Sequence, residues 1–187
     1  MKKQFSPDDP ERRKWQDPEE ILASLGLMPG MIFVDPGCGD GFFALPAARI
    51  TGPSGKVFAS DIDAGAIARL RERARSEGLT WLSAETGPAE ETIACRGCAD
   101  IVFFGIDLHD FSDPVKVLKN ANQMLRGSGR LVDLDWTDRP TPMGPPPEKR
   151  FSPAKARQMI EDAGFKVTSV AEAGPYHYLI VARAGTR

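Results

Sequence analysis

Residues 32–43 read IFVDPGCGDGFF, an apolar run that leads through an aspartate into a glycine-rich turn. Three glycines, Gly37, Gly39 and Gly41, occupy alternate positions in that turn. A strand that passes through such a turn into a helix directs backbone N–H groups and the positive end of the helix dipole to the carboxyl edge of a sheet. The stretch therefore predicts a site for a nucleotide-like ligand.

Outside this stretch the sequence alternates between strand patterns and helix patterns. Apolar runs with the length of a buried strand lie at residues 31–34, 57–60, 80–84, 99–104 and 130–134. Amphipathic segments that end at glycines separate most of these runs. Such alternation predicts a parallel sheet with helices on both faces.

The C-terminal part of the chain departs from this alternation. A helix that begins at Ser152 is followed by two β runs, at 165–170 and 176–182, which Gly174 and Pro175 join. A parallel crossover needs a dozen or more residues, so this join permits only an antiparallel hairpin. We expect an α/β, Rossmann-like fold, with a mostly parallel seven-stranded sheet, helices on both faces and an antiparallel C-terminal hairpin.

Capping residues predict where the helices begin. Asp17, Asp63 and Asp113 each precede a helical pattern, and an aspartate in that position accepts hydrogen bonds from the first-turn N–H groups. The helix that follows Asp113 carries apolar residues at helical spacing as far as Leu125. We expect Gly127 to end this helix.

Length and composition indicate a water-soluble chain with one domain over residues 1–187, including an N-terminal segment at 1–16. The net charge of −2 gives no overall attraction to nucleic acid or to an anionic membrane. No apolar run has the length of a membrane span, and no apolar segment follows the N-terminal lysines as in a secretory signal. Three cysteines fit a reducing compartment better than a disulfide framework, so we expect a cytoplasmic protein.

Two segments are candidates for covering a bound ligand. Five of the 16 prolines lie between Pro140 and Pro147, within a long irregular connection at 137–150. Long loops in compact domains are often lids, and we expect this connection to act as one. The N-terminal segment, which carries Phe5 and Trp15, is expected to cover the ligand from the other side.

The glycine spacing argues against a dinucleotide. A dinucleotide site uses the pattern G-x-G-x-x-G, whereas this turn reads G-x-G-x-G and places the negative charge of Asp40 inside it. Asp61 follows the next strand, about twenty residues after the turn, where an acidic group can accept both ribose hydroxyls of an adenosine ligand. Glu85 follows the third strand, where it can accept a hydrogen bond from the adenine amino group.

These stretches, taken in order, resemble a known family. VDPGCGDGFF, ASDID and WLSAE are similar to the successive cofactor-binding motifs of class I S-adenosylmethionine-dependent methyltransferases. The resemblance extends from about Asp17 to the closing hairpin GFKVTSVAEAGPYHYLIVAR. The stretch DLHDFSDPVKVL further resembles the small quinone-biosynthesis-like enzymes, the methyltransferase type 11 group.

The resemblance implies S-adenosylmethionine as cofactor, with S-adenosylhomocysteine as product, and it implies a set of binding residues. The aspartate before the turn and the turn itself would surround the methionine portion, the acid after the second strand would hold the ribose, and its apolar neighbour would pack on the adenine. The acid after the third strand would meet the adenine amino group, and the last glycine of strand four would offer backbone to the methionine amine. In this order, the implied residues are Asp35, Gly37, Cys38, Gly39, Gly41, Asp61, Ile62, Glu85 and Gly105.

Methyl transfer from a sulfonium needs alignment, exclusion of water and, for some acceptors, removal of a proton. His109 is the candidate general base, because its charge changes near neutral pH. Asp107 is the candidate to bind the substrate or to orient His109. Asp135 and Trp136 end strand five and are expected to shape the pocket. The alternative is that His109 is a loop histidine that packs against the next helix or caps it.

Other functions remain open from the sequence. Cys95 and Cys98 form a C-x-x-C pair, but the third cysteine and the single histidines do not complete a zinc site, so no metal is expected. The acceptor is expected to be a small molecule; nucleic acid is disfavoured, and a homodimer is compatible with the sequence. A nicotinamide-dependent oxidoreductase and a non-catalytic protein that binds S-adenosylmethionine are the alternative functions.

Overall fold

The computed structural model describes residues 10–185, so Phe5 and most of the 1–16 segment lie outside the described residues. The strands are β1 (Ile32–Pro36), β2 (Lys56–Asp61), β3 (Leu82–Thr86), β4 (Ala99–Gly105), β5 (Leu125–Trp136), β6 (Phe165–Ala173) and β7 (His177–Ala184). The α-helices are α1 (Pro10–Arg13), α2 (Pro18–Ser24), α3 (Ala44–Thr51), α4 (Ala64–Ser76), α5 (Pro114–Met124) and α6 (Pro153–Asp162).

The strands form a seven-stranded sheet in the order β3-β2-β1-β4-β5-β7-β6. The predicted fold class is confirmed, because the sheet is mostly parallel and its C-terminal hairpin is antiparallel. The chain divides between Pro88 and Ala89 into two compact units, which are described separately below as the N-terminal unit and the C-terminal unit. That residues 1–187 act as one domain stays a prediction.

The N-terminal unit contains the parallel strands β1, β2 and β3, with α3 packed on β1 and β2, and α4 on β2 and β3. Its fully buried side chains include Phe33, Leu45, Ile67 and Leu70. Gly41 has a φ of +91°, and a Cβ at this position would overlap the end of the Leu70 side chain. Glycine is favoured at this position, because a residue with a side chain would be strained at this φ and its Cβ would meet the Leu70 and Leu45 side chains.

The predicted helix caps are present. The Asp17 side chain accepts from Glu20 N at 2.9 Å, and the Asp63 side chain accepts from Gly65 N at 2.8 Å. Each cap occupies a backbone donor that the first turn of its helix would otherwise leave unsatisfied.

The C-terminal unit contains β4, β5, β6 and β7, with β5 and β6 both antiparallel to β7. The expectation that α5 runs to Gly127 is wrong, because the helix ends at Met124. Leu125 instead begins β5 and pairs with Ala99 of β4. Strand pairing therefore overrides the helical spacing of Leu125, and β5 begins five residues before the predicted Arg130.

No helix within residues 10–185 combines the length and the apolar character that crossing a membrane requires.

Candidate functional site

The glycine turn of the N-terminal unit is held against β2 by its own N–H groups. Gly37 N and Cys38 N both donate to Ser60 O, at 2.7 and 3.0 Å. Gly39 N donates to Oδ2 of Asp61 at 2.8 Å. The turn that the sequence predicts is present, but these donors are used within the protein and do not form a cradle for phosphate.

All three glycines of the turn adopt left-handed backbone conformations. The φ values are +81° at Gly37, +52° at Gly39 and +91° at Gly41. Gly41 N donates to Cys38 O at 3.0 Å and so closes the turn immediately before Phe42 and α3. Residues with side chains rarely adopt this backbone region, which explains the alternate glycines of the sequence.

Asp61 connects the turn to the start of α4. Its Oδ2 accepts from Gly39 N, and its Oδ1 accepts from Asp63 N at 2.8 Å. A carboxylate offers about four acceptor positions, so capacity remains for the hydroxyl groups of a ribose. Asp61 therefore has the position and the acceptors that its predicted role requires.

The two residues predicted to meet the adenine lie at the ends of neighbouring strands. Ile62 directly follows β2, and 76% of its surface is exposed. Glu85 is exposed on β3, where it pairs with Ser60 of β2 in the parallel register. A large apolar side chain left in solvent beside an acceptor of ribose hydroxyls is the arrangement that a purine ring would cover.

Asp35, at the end of β1, is an unusual buried acid. It is 2% exposed, and within the described residues its Oδ2 has no hydrogen-bond partner. Burial and the nearby Asp61 carboxylate raise its pKa to about 8, while Arg12 and the N–H of Ala44 act in the opposite direction. The Asp35 carboxyl is therefore mostly protonated at neutral pH.

The charge of Asp40 is compensated within the N-terminal unit. Arg69 of α4 donates to both of its carboxylate oxygens, through Nε at 3.1 Å and Nη2 at 2.8 Å. The sequence argument that Asp40 repels a phosphate is therefore weaker than expected. The internal use of the turn's N–H groups is the stronger argument against a pyrophosphate.

In the C-terminal unit, Gly105 ends β4 and pairs with Leu134 of β5. The residue after it, Ile106, has a φ of +69°, the one positive φ of a residue other than glycine in the part of the chain that the structure describes. Ile106 N donates to Leu134 O at 2.7 Å. A β-branched residue in this region is strained, and such strain clusters at functional sites. The sequence did not identify Ile106 as a functional residue, because an isoleucine gives no indication of a left-handed backbone conformation.

His109 forms a buried pair with Asp135. Its Nδ1 lies 2.7 and 2.9 Å from the two carboxylate oxygens of Asp135, and its side chain is 2% exposed. Asp135 also accepts from Trp136 N at 2.7 Å. A carboxylate at Nδ1 favours a proton on that nitrogen, which leaves Nε2 as the basic atom of the neutral ring. Asp107 is also buried, and its predicted role stays a prediction.

A second buried acid lies two residues from Asp135 on the same strand. Asp133 is fully buried, and burial together with the charge of Asp135 raises its pKa well above the ordinary value. Burial and the two aspartates likewise raise the pKa of Tyr178, which is 2% exposed. Burial thus favours the neutral form of Asp133 more than that of an ordinary aspartate.

Arg150 organises the proline-rich segment 137–150, where the sequence predicted a lid. Its guanidinium is buried and lies 5.2 Å from the centre of the Trp136 ring. It donates to the carbonyl oxygens of Thr137, Arg139, Met143 and Pro145 and to the hydroxyl of Thr141. The segment is thus an ordered loop wrapped around one arginine, and its opening as a lid stays a prediction.

Cys95 and Cys98 are joined by a disulfide, which corrects the expectation that the cysteines are reduced. The pair occupies the connection between β3 and β4, and Cys98 N donates to Met124 O at 3.0 Å. Cys38 lies in the glycine turn, where its Sγ is 3.5 Å from Gly39 O. The cytoplasmic location stays a prediction.

Comparison with known proteins agrees with this geometry. The family described as methyltransferase domain matches residues 27–171, which include the glycine turn and most of the sheet. A crystal structure of an S-adenosylmethionine-dependent methyltransferase from Aquifex aeolicus is similar, with a TM-score of 0.88 and 29% identity. That likeness covers 95% of this chain and 98% of the Aquifex chain.

Curated relatives are similar over smaller parts of this chain. Demethylmenaquinone methyltransferase of Bacillus cytotoxicus is 26% identical over 67% of this chain and 53% of its own length. A tRNA (guanine(6)-N2)-methyltransferase of Thermus thermophilus is 43% identical over 34% of this chain and 19% of its own length. This chain spans about half the length of the demethylmenaquinone methyltransferases that it matches.

The match over residues 27–171 and the likeness along nearly the whole Aquifex chain show the family. The chain belongs to the class I S-adenosylmethionine-dependent methyltransferases, in their type 11 group.

Proposed function

We propose that this protein transfers a methyl group from S-adenosylmethionine to a small-molecule acceptor. The observation that carries the proposal is the glycine turn, whose N–H groups donate to Ser60, Asp61 and Cys38 within the N-terminal unit. A ligand that binds by its phosphates needs those donors. S-adenosylmethionine needs few of them, because it has no phosphate and presents an ammonium group and a sulfonium centre.

The residues present fit this cofactor. Asp35 offers a buried oxygen without a partner in the described residues, which an ammonium group would satisfy. Asp61 has acceptor capacity for ribose hydroxyls, and Ile62 offers an exposed apolar surface for adenine. The roles of Glu85 and Gly105 remain as predicted from the resemblance. When bound, the cofactor supplies an activated methyl group and its leaving group.

The chain would contribute a proton acceptor in the C-terminal unit. We assign this role to Nε2 of His109, with Asp135 holding the ring through Nδ1 and stabilising the protonated form. Nε2 lies 3.8 Å from Oδ1 of Asp110, whose side chain is 36% exposed. Asp107, in the same segment, is assigned to contact the acceptor.

The acceptor class rests on different support. The Bacillus relative is named for demethylmenaquinone, a small molecule, and its likeness covers two thirds of this chain. The relative named for tRNA is similar over only a third of this chain. A phenol or quinol hydroxyl or ring carbon also fits a His109–Asp135 pair, since methylation of such a group is helped by removal of a proton.

The test is thermal unfolding of the protein with S-adenosylmethionine, S-adenosylhomocysteine, NAD and NADP. A ligand at a hundred times its dissociation constant adds about 2.7 kcal/mol, or roughly 5 to 11 °C for a domain of this size. We expect the two sulfur nucleosides to raise the midpoint and the nicotinamides to leave it unchanged. The opposite pattern would overturn the proposal.

The acceptor is tested with methyl-labelled S-adenosylmethionine. Label transferred to a set of quinols and phenols, with His109→Gln as the control variant, would support the small-molecule assignment. Label transferred to purified tRNA and not to those compounds would overturn it. Binding without transfer to any of these acceptors favours the alternative, a non-catalytic cofactor-binding protein.

A further inference from the structure

The disulfide between Cys95 and Cys98 lies in the connection from β3 to β4 and has no role in the function proposed above. Both cysteines are half-buried, and the two residues between them, Arg96 and Gly97, are exposed. The pair thus lies near the protein surface, where a thiol in solution can approach it.

The spacing of the two cysteines argues against a purely structural role. They are only three positions apart along the chain. A disulfide that closes so short a loop removes little conformational entropy from the unfolded chain, and it joins no distant elements of the fold. In a reducing compartment, disulfides are usually transient, catalytic or redox-sensing. The pair is therefore a candidate for a reversible disulfide.

The loop that the disulfide closes is attached to the C-terminal end of α5. Gly97 N donates to Gln123 O at 2.9 Å, and Cys98 N donates to Met124 O at 3.0 Å. The last carbonyl groups of a helix have no partner within that helix, so these two bonds satisfy acceptors that α5 leaves open. The Arg96 guanidinium also donates to the side chain of Gln123.

Hydrogen bonds attach the same connection to the beginning of α5. Oε1 of Glu90 accepts from Ser112 N at 2.9 Å and from Asp113 N at 3.2 Å. Asn120, within the helix, donates through Nδ2 to Glu90 O at 2.8 Å. The connection therefore contacts both ends of α5, and the disulfide belongs to the contact at the C-terminal end.

We propose that Cys95 and Cys98 form a redox switch that controls how firmly this connection is attached to the C-terminal end of α5. Two external thiols are oxidised to one disulfide, while the S–S bond of the pair breaks and the two cysteines take up two electrons and two protons. The opened loop has more backbone conformations, so the hydrogen bonds from Gly97 N and Cys98 N to α5 weaken. The oxidised form of the same thiol reverses the change. This switch does not depend on the proposed methyl transfer.

The first measurement tests whether the folded protein reacts with thiols. The protein is equilibrated with mixtures of reduced and oxidised glutathione, free thiols are trapped with a maleimide, and the labelled cysteines are identified by mass spectrometry. We expect the labelled fraction of Cys95 and Cys98 to rise with the share of reduced glutathione and to fall on reoxidation. Cys38 is 8% exposed, so its labelling marks unfolded molecules. A pair that stays oxidised until Cys38 is also labelled would overturn the proposal.

The second measurement compares hydrogen exchange of backbone amides in the oxidised and the reduced protein. Loss of a hydrogen bond of ordinary strength predicts exchange that is roughly 2- to 13-fold faster at the Gly97 and Cys98 amides after reduction. The Ser112 and Asp113 amides, which bind Glu90 at the other end of α5, should exchange at the same rate in both states. Equal rates at Gly97 and Cys98 in the two states, or an equal increase along the whole of α5, would contradict the switch.

A variant without the disulfide provides the matched comparison. Cys95→Ser combined with Cys98→Ser should show the fast exchange of the reduced protein at every glutathione ratio. Arg96→Gln keeps both cysteines, so its exchange should still respond to the ratio. If the serine variant exchanges as slowly as the oxidised protein, the disulfide does not control the attachment and the proposal is wrong. The comparison of the two states of the wild type needs no substitution, so it decides the question if the serine variant does not fold.

Discussion

Nδ1 of His109 lies 2.7 Å from Oδ1 of Asp135, although 26 residues separate the two along the chain. His109 belongs to the short 3-10 helix Leu108–Asp110 after β4, and Asp135 is the penultimate residue of β5. The parallel pairing of β4 with β5 brings these strand ends together. The pair fixes the orientation of a buried imidazole, and it is the basis of the first prediction.

Replacing Asp135 by asparagine should destabilise the protein. The change removes the charge that accepts from Nδ1 of His109 and from Trp136 N. Losing hydrogen bonds to a buried charged group costs about 1.5–3 kcal/mol, or roughly 3 to 12 °C in the unfolding midpoint. Calorimetry of the variant beside Asp110→Asn, a more exposed neighbour, provides the check. Equal shifts in the two variants would mean that the pair contributes no special stability.

Substitutions at Asp61 and Asp63 should have different effects, the first on ligand binding and the second on stability. Asp61→Ala removes the acceptor of Gly39 N and the proposed ribose contact, so the rise in unfolding midpoint with S-adenosylhomocysteine should largely disappear. Asp63→Ala removes the cap of α4, which costs about 1 kcal/mol, and should leave the ligand-induced rise intact. Thermal unfolding with and without ligand measures both effects. If S-adenosylhomocysteine still raises the unfolding midpoint of Asp61→Ala, Asp61 is not part of the cofactor site.

Asp35 should make the stability depend on pH. Its pKa is raised from 3.8 to about 8, chiefly by burial and then by Asp61. Between these values the unfolded chain loses the proton and the folded chain keeps it. The contribution of the Asp35 carboxyl to the free energy of unfolding is therefore greatest below pH 3.8. It declines as the pH rises and becomes constant above about pH 8. The slope from this group is at most about 1.4 kcal/mol per pH unit.

Asp35→Asn should remove this slope, because the amide is neutral at every pH. Denaturant unfolding from pH 5 to 9 gives the free energies of both proteins. The wild type should lose stability relative to the variant up to about pH 8, and the difference should then stay constant. A difference that is flat over the whole range, or that changes in favour of the wild type, would contradict the raised pKa.

Arg150→Met should loosen the loop at 137–150 without unfolding the sheet. The methionine keeps part of the packing on Trp136 but loses the hydrogen bonds to the loop oxygens. Hydrogen exchange of amides in 138–149 should become faster, and exchange in β5 should not change. Arg139→Gln is the control, because the ion pair of Arg139 with Glu172 is exposed. Protection in 138–149 that survives Arg150→Met would show that the prolines alone order the loop.

Local chemistry explains what the sequence predicted well. Asp17 and Asp63 are followed by amphipathic patterns, and capping depends only on residues within the next three positions. The alternate glycines and the carboxylate of Asp61 likewise belong to short stretches with strong steric and hydrogen-bonding demands. The antiparallel hairpin followed from the length of one connection.

The errors and omissions came from contacts between distant parts of the chain. Leu125 fits the helical spacing of α5, yet its pairing with Ala99 makes it the first residue of β5. The partner of His109 depends on the order of strands, which no local pattern encodes. The side chain of Arg150 reaches back as far as Thr137, 13 positions away, and arginine carries no signal for that contact. The spacing of Cys95 and Cys98 is compatible with a metal, a thiol pair or a disulfide, so it did not decide among them.

The central claim is that the glycine turn binds S-adenosylmethionine. The most direct measurement follows the backbone amide signals of Gly37, Gly39 and Gly41 by nuclear magnetic resonance during titration with S-adenosylhomocysteine, and separately with NAD. We predict that S-adenosylhomocysteine shifts these three signals together with that of Ile62, and that NAD leaves them in place. Shifts confined to other residues, or shifts of these signals with NAD alone, would contradict the claim.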